Sequence, residues 1–522
     1  MYVVNFNLFC VTSLLFSMEQ TAAQTQKKAL TARAYYLDTS GNDSNKGTKN
    51  SPWKTIQKIN SILIKAGDSV MLKAGQAFTG TLRLDASCIG LSNKPVLFTS
   101  YGKGKAVINA GNASAILIEK TKFITVRKLK LAGTGRKDGN TGDGIALADC
   151  SNIMLSELEI GGFRNSGVLV NSSSDIRITE VNAHDNGFAG ISVSGKYPSK
   201  KSCSNIYIGY CNAYNNPGSP AILDNHSGNG IVAGICNKLT IEYCTATNNG
   251  WDMPRVGNGP VGIWCYEADS VIIQHCISYR NKTSAGGDDG GGFDLDGGVT
   301  NSVVQYCLSY ENQGSGFGIF QYVGASAWHN NTIRYNISEN DGTVSPAGAG
   351  IYIWNSSDDS MQFNNCSFYN NTIYNSKGAA ISYAGQSTRK GFLFYNNIFV
   401  GSDSLLKGKR TNDTFLANNW WSLKSKFNIE GIHDLNEWAK KSGQEMLAGK
   451  LTGWNTDPDF KGAGTTTITS VPGLKLFDGY KIPVGSRLRQ NGLELKRLFG
   501  IETGSVDLNG QLAPVKGIGA CF

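Results

Sequence analysis

From Gly167 onward the chain repeats one short phrase, a glycine followed by strictly alternating positions. It reads GVLV at Gly167, GISV at Gly190, GIVA at Gly230 and GIWCY at Gly262, then GFDLD at Gly292, GFGIF at Gly316 and GIYIW at Gly350, closing with AISYA at Ala380. Alternation with a period of two predicts β-strands with one buried face. A second phrase ends in cysteine at Cys211, Cys244, Cys276 and Cys307, at intervals of 33, 32 and 31 residues. Asn165, Asn186, Asn216, Asn249, Asn281, Asn312 and Asn340 stand in the turns between the phrases. Units this short cannot bury a face alone and must stack on one another. Short β-branched strands between Asn and Gly turns predict the coils of a parallel β-helix, an all-β solenoid. The Leu-x-x-Leu-x-Leu consensus of leucine-rich repeats is missing, and a propeller would need four strands per repeat.

The coils are expected over 67–401, with upstream members at Val70, Val96, Val107 and Ile124. Residues 34–66 predict a cap, a strand followed by a short helix whose Ile56, Ile59, Ile62 and Leu63 would cover the open end of the first coil. Past Ser402 the repeat stops and Trp420, Trp421, Trp438 and Trp454 appear among loops. The segment 402–522 is therefore expected to pack on the solenoid. At the other terminus, apolar Val3 to Phe16 and small residues at Thr21-Ala22-Ala23 predict a signal peptide over 1–23. No later run is long enough to span a membrane. The expectation is an exported monomer, periplasmic, cell-surface or extracellular.

From Tyr35 to Phe522 the chain resembles the exported right-handed parallel β-helix proteins of carbohydrate-degrading bacteria. Its opening DTSGNDSNKGT…PWKTIQKI, from Asp38 to Ile59, is similar to the N-terminal caps of pectate-lyase-like and glycosidase members. The resemblance implies the fold and a glycan partner. It leaves hydrolases, lyases and binding proteins open, because this fold hosts all three.

Composition sharpens the picture. With 12 cysteines, an exported chain would ordinarily carry disulfides, but their stacked spacing predicts a buried row of free thiols. The formal charge of +9 hides an acidic centre: residues 205–360 hold 14 Asp or Glu against 5 Lys or Arg, a net −9. Such a surface repels polyuronates and favours neutral glycans. Phosphate-loop, zinc-finger and GxSxG patterns are missing, so neither nucleic-acid work nor serine hydrolysis is indicated.

Alternation also sorts the strand residues. Ile263, Cys265, Phe293, Leu295, Phe317, Ile319, Ile351 and Ile353 should face inward. Trp264, Tyr266, Asp294, Asp296, Phe320, Tyr352 and Trp354 should face outward. Two aspartates would thus project from a wall of aromatic rings suited to sugar faces, unless the C-terminal segment covers it. The loop feeding them, SAGGDDGGGFDLDGG from Ser284 to Gly298, adds Asp288 and Asp289. Crowded carboxylates raise one another's pKa, so one can stay protonated as an acid while another is ionised. Glycoside hydrolysis uses such a pair. β-Helix lacto-N-biosidases use two aspartates seven residues apart, and the resemblance thereby implies Asp289 with Asp296, supported by Asp294 and Asp288.

Long inserts within the coils at 222–355 bring His226 and Trp251 toward the same face as substrate-binding candidates, His226 as a hydrogen-bonding residue. No cofactor is required by this reading. Calcium is the competing ligand for Asp288, Asp289, Asp294 and Asp296, and it would serve a pectate-lyase-like β-elimination. That alternative needs a basic residue, and Arg334 is the only Arg between Lys282 and Lys377, where no Lys occurs. A non-catalytic glycan-binding β-helix is the third reading.

Overall fold

The computed structural model describes residues 32–344 and 348–522; the expected signal peptide lies outside the described residues. Three parallel sheets of 14, 12 and 13 strands run the length of the molecule. Each coil contributes one strand to each sheet, in the order second, first, third. The first sheet runs from Ala34–Leu37 to Asp413–Leu416, the second from Leu82–Leu84 to Leu406–Lys407, and the third from Ala77–Thr79 to Asn419–Ser422. The architecture is a right-handed parallel β-helix. Its coils continue to Ser422 rather than stopping at 401, because one further coil of three strands pairs in register after the glycine phrase has faded.

Register explains the stacking. In the second sheet Ile263 pairs with Phe293, Phe293 with Phe317 and Phe317 with Ile351, all buried. Like side chains fall one above another, so every coil extends the same apolar column. All eleven described cysteines are free and buried. In this setting Cys211, Cys244, Cys276 and Cys307 act as small apolar fillers.

The asparagines form a continuous internal chain of amides. Each Nδ2 donates to the next Oδ1 from Asn186 through Asn216, Asn249 and Asn281 to Asn312, at 2.9–3.1 Å. The chain ends where Asn312 donates to Asp341 at 2.8 Å. Asn165 and Asn340 are not rungs. Asn165 donates outward to the Thr141 carbonyl, and Asn340 accepts from Ser376. The last rung therefore falls one residue later than the repeat spacing predicts. A second chain links Asn336, Asn371, Asn397 and Asn418 and ends on Glu445. Burial pushes both terminal carboxyls, Asp341 and Glu445, up to about 7.

At the N-terminal end, Leu37, Trp53, Ile56, Ile59 and Ile64 close the first coil. The capping helix is a single turn, Ile56–Asn60, with Thr55 accepting from the Lys58 amide. Leu63, expected in the seal, lies beyond that turn and is exposed. At the other end Trp438, on the helix Leu435–Ser442, plugs the last coil against Phe415, Trp420 and Phe427. The chain then doubles back along the outside. Ile482, Leu488, Leu495, Ile518 and Phe522 pack with Tyr306, Tyr335, Tyr369 and Tyr395, while Leu474, Phe477 and Tyr480 pack with Tyr279 and Tyr310. These contacts lie on the first and third sheets and the turns between them, and the outer face of the second sheet is left to the inserts.

Candidate active site

On the outer face of the second sheet the outward residues meet as alternation predicts. Trp264 pairs in register with Asp294, Asp294 with Gly318 and Gly318 with Tyr352, while Phe320 pairs with Trp354. A cleft of about 530 Å³ forms over them. Trp264, Tyr266, Phe320, Tyr352 and Trp354 line it together with Asp288, Asp289, Asp294, Asp296 and His226. The inserts between the third and second sheets supply the remaining walls through Asn225, Asn258, Gly259 and Val261.

Glycine makes the cleft possible at two points. A Cβ on Gly318 would lie 3.1 Å from the Asp294 carboxyl carbon and 2.8 Å from the Phe320 ring, so the bare backbone leaves the space above Asp294. A Cβ on Gly297 would strike the Tyr322 ring, which closes over the turn after Asp296. Tyr322 lines the cleft and was not among the expected site residues. Continuing the alternation two residues past Phe320 would have found it.

The three inner carboxyls differ in environment. Asp294 is 4% exposed, and its Oδ1 has no hydrogen-bond partner among the described residues. Burial, with the charges of Asp296 and Asp289, holds its carboxyl well above the usual range. Asp289 sits in a left-handed turn (φ +58°), and its Oδ2 accepts from the Gly259 amide at 2.8 Å. Burial raises Asp289 to about 7 despite that bond, with Asp296 and Asp288 adding to the effect. Asp296 accepts from the Gly297 amide at 2.7 Å. Burial raises it to about 6, that amide opposes the rise, and the neighbouring Glu267 adds to it. Asp288 is exposed at the rim. Burial, reinforced by Asp288 and Asp289, pushes the Tyr352 hydroxyl up to about 12.

Two candidates lie elsewhere. Trp251 stands outside the cleft, where its Nε1 donates to Asn215 and its ring lies under the Arg136 guanidinium. Ion pairs from Arg136 and Lys137 to Asp252 hold the start of that insert outside the cleft, while Asn258 and Gly259 further along it reach the cleft wall. Arg334 is on the first sheet, hydrogen-bonded to Gln305, Tyr369 and the Glu502 carbonyl beneath the C-terminal segment. Neither Lys nor Arg is among the described residues lining the cleft.

The carboxylates do not suit calcium. Among the described residues no three His, Cys, Asp or Glu converge closely enough to hold a metal ion. Calcium takes six to eight oxygens, and here one of the four carboxyls, Asp288, lies exposed at the rim. The lone oxygen of Asp294 is better satisfied by carrying a proton.

A family model described as Pel9A-like, right-handed β-helix region matches residues 35–345. The chain belongs to that family. Among solved structures, the Pel9A-like fold here is similar to the GH136 lacto-N-biosidase from Eubacterium ramulus. The two are 18% identical with a TM-score of 0.50, over 68% of this chain and 67% of that one. It is also similar to pectate lyase Pel9A, 15% identical with a TM-score of 0.46, over 93% of this chain and 96% of that one. At such identities the likeness is one of fold. No curated protein matches the chain. Among the described residues no helix is long and apolar enough to cross a membrane.

Proposed function

We propose that this Pel9A-like β-helix protein is a glycoside hydrolase acting on a neutral glycan. Asp289 serves as the general acid, and Asp296 as the carboxylate that attacks the sugar or activates water. The observation that carries the reading is a cluster of carboxyls in an aromatic cleft that, among the described residues, no Lys or Arg lines. Burial raises Asp289 to about 7 and Asp296 to about 6, so near neutral pH a proton can be held on one carboxyl while its neighbour is ionised. That is the division of labour a glycosidic bond requires. Asp294 stays protonated beside Asp296, where it can donate a hydrogen bond to that carboxylate or to a sugar hydroxyl. Trp264, Tyr266, Phe320, Tyr352 and Trp354 offer ring faces and edges to the sugars.

β-Elimination is the poorer reading. It needs a base beside a uronate carboxylate, whereas the cleft gathers carboxylates that would repel that group. The test is a screen of neutral oligosaccharides and polyuronates with the intact protein. Released reducing sugar from a neutral substrate, with no ultraviolet-absorbing unsaturated product from polyuronates, is expected. Unsaturated uronate product would overturn the proposal.

A further inference from the structure

His226 is held in one protonation state by a chain of hydrogen bonds whose direction can be worked out atom by atom. Indole Nε1 of Trp264 can only donate, and it lies 2.9 Å from the side chain of Asn229, so the Asn229 atom it meets is Oδ1. The Val261 amide donates to the same oxygen. The two hydrogens on Asn229 Nδ2 then have two acceptors, the Phe188 carbonyl at 3.1 Å and His226 Nδ1 at 3.0 Å. Nδ1 is therefore an acceptor, and the ring proton of neutral His226 must sit on Nε2. Rings of Phe188 and Trp264 lie against the imidazole at 5.6 and 4.8 Å between centroids and fix its plane. His226 is 8% exposed, lines the cleft, and makes no hydrogen bond through Nε2 to any described residue.

We infer that His226 is a specificity-determining residue: a permanently neutral donor whose Nε2–H reads an uncharged acceptor oxygen of the bound sugar, a hydroxyl or an amide carbonyl. It is not the base of the reaction. Burial and the nearby Arg255 charge lower its pKa to about 4, in keeping with a ring that stays neutral. A sugar carboxylate could also accept from Nε2–H, but Asp288 and Asp296 share the cleft and disfavour it. The inference rests on the glycosidase reading for its ligand and on the hydrogen-bond chain alone for its tautomer.

The two parts are tested separately. In protein labelled with nitrogen-15 at histidine, long-range nitrogen–proton correlation reads the tautomer directly, and His226→Gln identifies the signal among the five histidines. An Nε2–H tautomer unchanged from about pH 5 to about pH 8 is expected. An Nδ1–H tautomer, or an imidazolium at about pH 6, would overturn the inference whatever the protein cleaves. Replacing Asn229 by Leu removes the donor to Nδ1 and should let the two tautomers mix; an unchanged signal would also overturn it. The second part uses the neutral oligosaccharide cleaved by the unmodified protein. His226→Phe is expected to raise KM about tenfold, more than it lowers kcat, and His226→Gln to restore most of the loss because its amide also donates. An unaltered KM in folded His226→Phe would remove the donor role while leaving the hydrolase reading standing. Failure to cleave any neutral glycan would sink that reading with the tautomer still measured.

Discussion

Two aromatic faces of this molecule are built by the same rule and end in opposite states. On the first and third sheets and the turns between them, Tyr306, Tyr310, Tyr335 and Tyr369 are covered by the C-terminal segment, and the hydroxyls of Tyr310 and Tyr369 find partners there. Tyr310 donates to the Ile468 carbonyl and Tyr369 to that of Glu502. Buried Glu339 accepts from the Gly464 and Thr466 amides, the Thr466 hydroxyl and Tyr480. On the second sheet, outward Trp264, Phe320 and Tyr352 line a cleft walled by the inserts and not by the C-terminal segment, and Asp294 keeps a carboxyl oxygen with no partner among the described residues. Aromatic rings alone therefore do not distinguish a structural face from a functional one. What sets the cleft apart is that its unpartnered oxygen belongs to a carboxyl crowded by two others, and leaving such a group unmet costs about 1–3 kcal/mol.

The largest way to break the contrast is to neutralise the cleft. Asp289→Asn and Asp296→Asn should each lower kcat by about 10³-fold, with sugar binding retained, as measured by reducing-sugar release and by titration with a neutral oligosaccharide. Filling the space above Asp294 is a smaller intervention. Gly318→Ala should cut kcat/KM by about tenfold, since the Phe320 ring and the Asp294 carboxyl must both give way.

Perturbing the covered face should do the reverse. Glu339→Gln removes an acceptor shared by several donors and should cost about 1–3 kcal/mol in thermal or denaturant unfolding. Activity per folded molecule should not change. Loss of turnover at full stability would erase the distinction between the faces.

The smallest effect concerns pH. Asp289 and Asp296 titrate near 7 and 6 when folded, above the ordinary 3.8 expected when unfolded. The folded state then binds more protons than the unfolded state between those limits, so stability falls as pH rises from about 4 to about 7. Asp294→Asn should flatten part of that slope and raise the unfolding midpoint at neutral pH, while turnover falls. An unchanged slope would count against a protonated Asp294.

Much of this was legible in the sequence, for physical reasons. A period of two fixes which side a residue faces, so the sequence alone places Trp264, Asp294, Asp296 and Tyr352 on one side. The glycine and cysteine phrases recur because identical positions stack, and that exposed the solenoid. Trp251 went astray because an insert's direction depends on distant ion pairs, here from Arg136 and Lys137. Arg334 occupies a strand of the right coil but belongs to a different sheet, which spacing along the chain does not encode. The one-residue shift from Asn340 to Asp341 escaped notice because an aspartate accepts the rung as well as an asparagine does. Tyr322 was missed only because the alternation was followed too short a distance.

The central claim is that the open acidic cleft hydrolyses a neutral glycan through Asp289 and Asp296. The most direct measurement compares the unmodified protein with Asp296→Asn on one neutral oligosaccharide, following released sugar and its anomeric form. The account predicts reducing sugar of a single initial anomer from the unmodified protein and turnover lower by about 10³-fold in the variant, with binding intact. Equal turnover by the two proteins would contradict it.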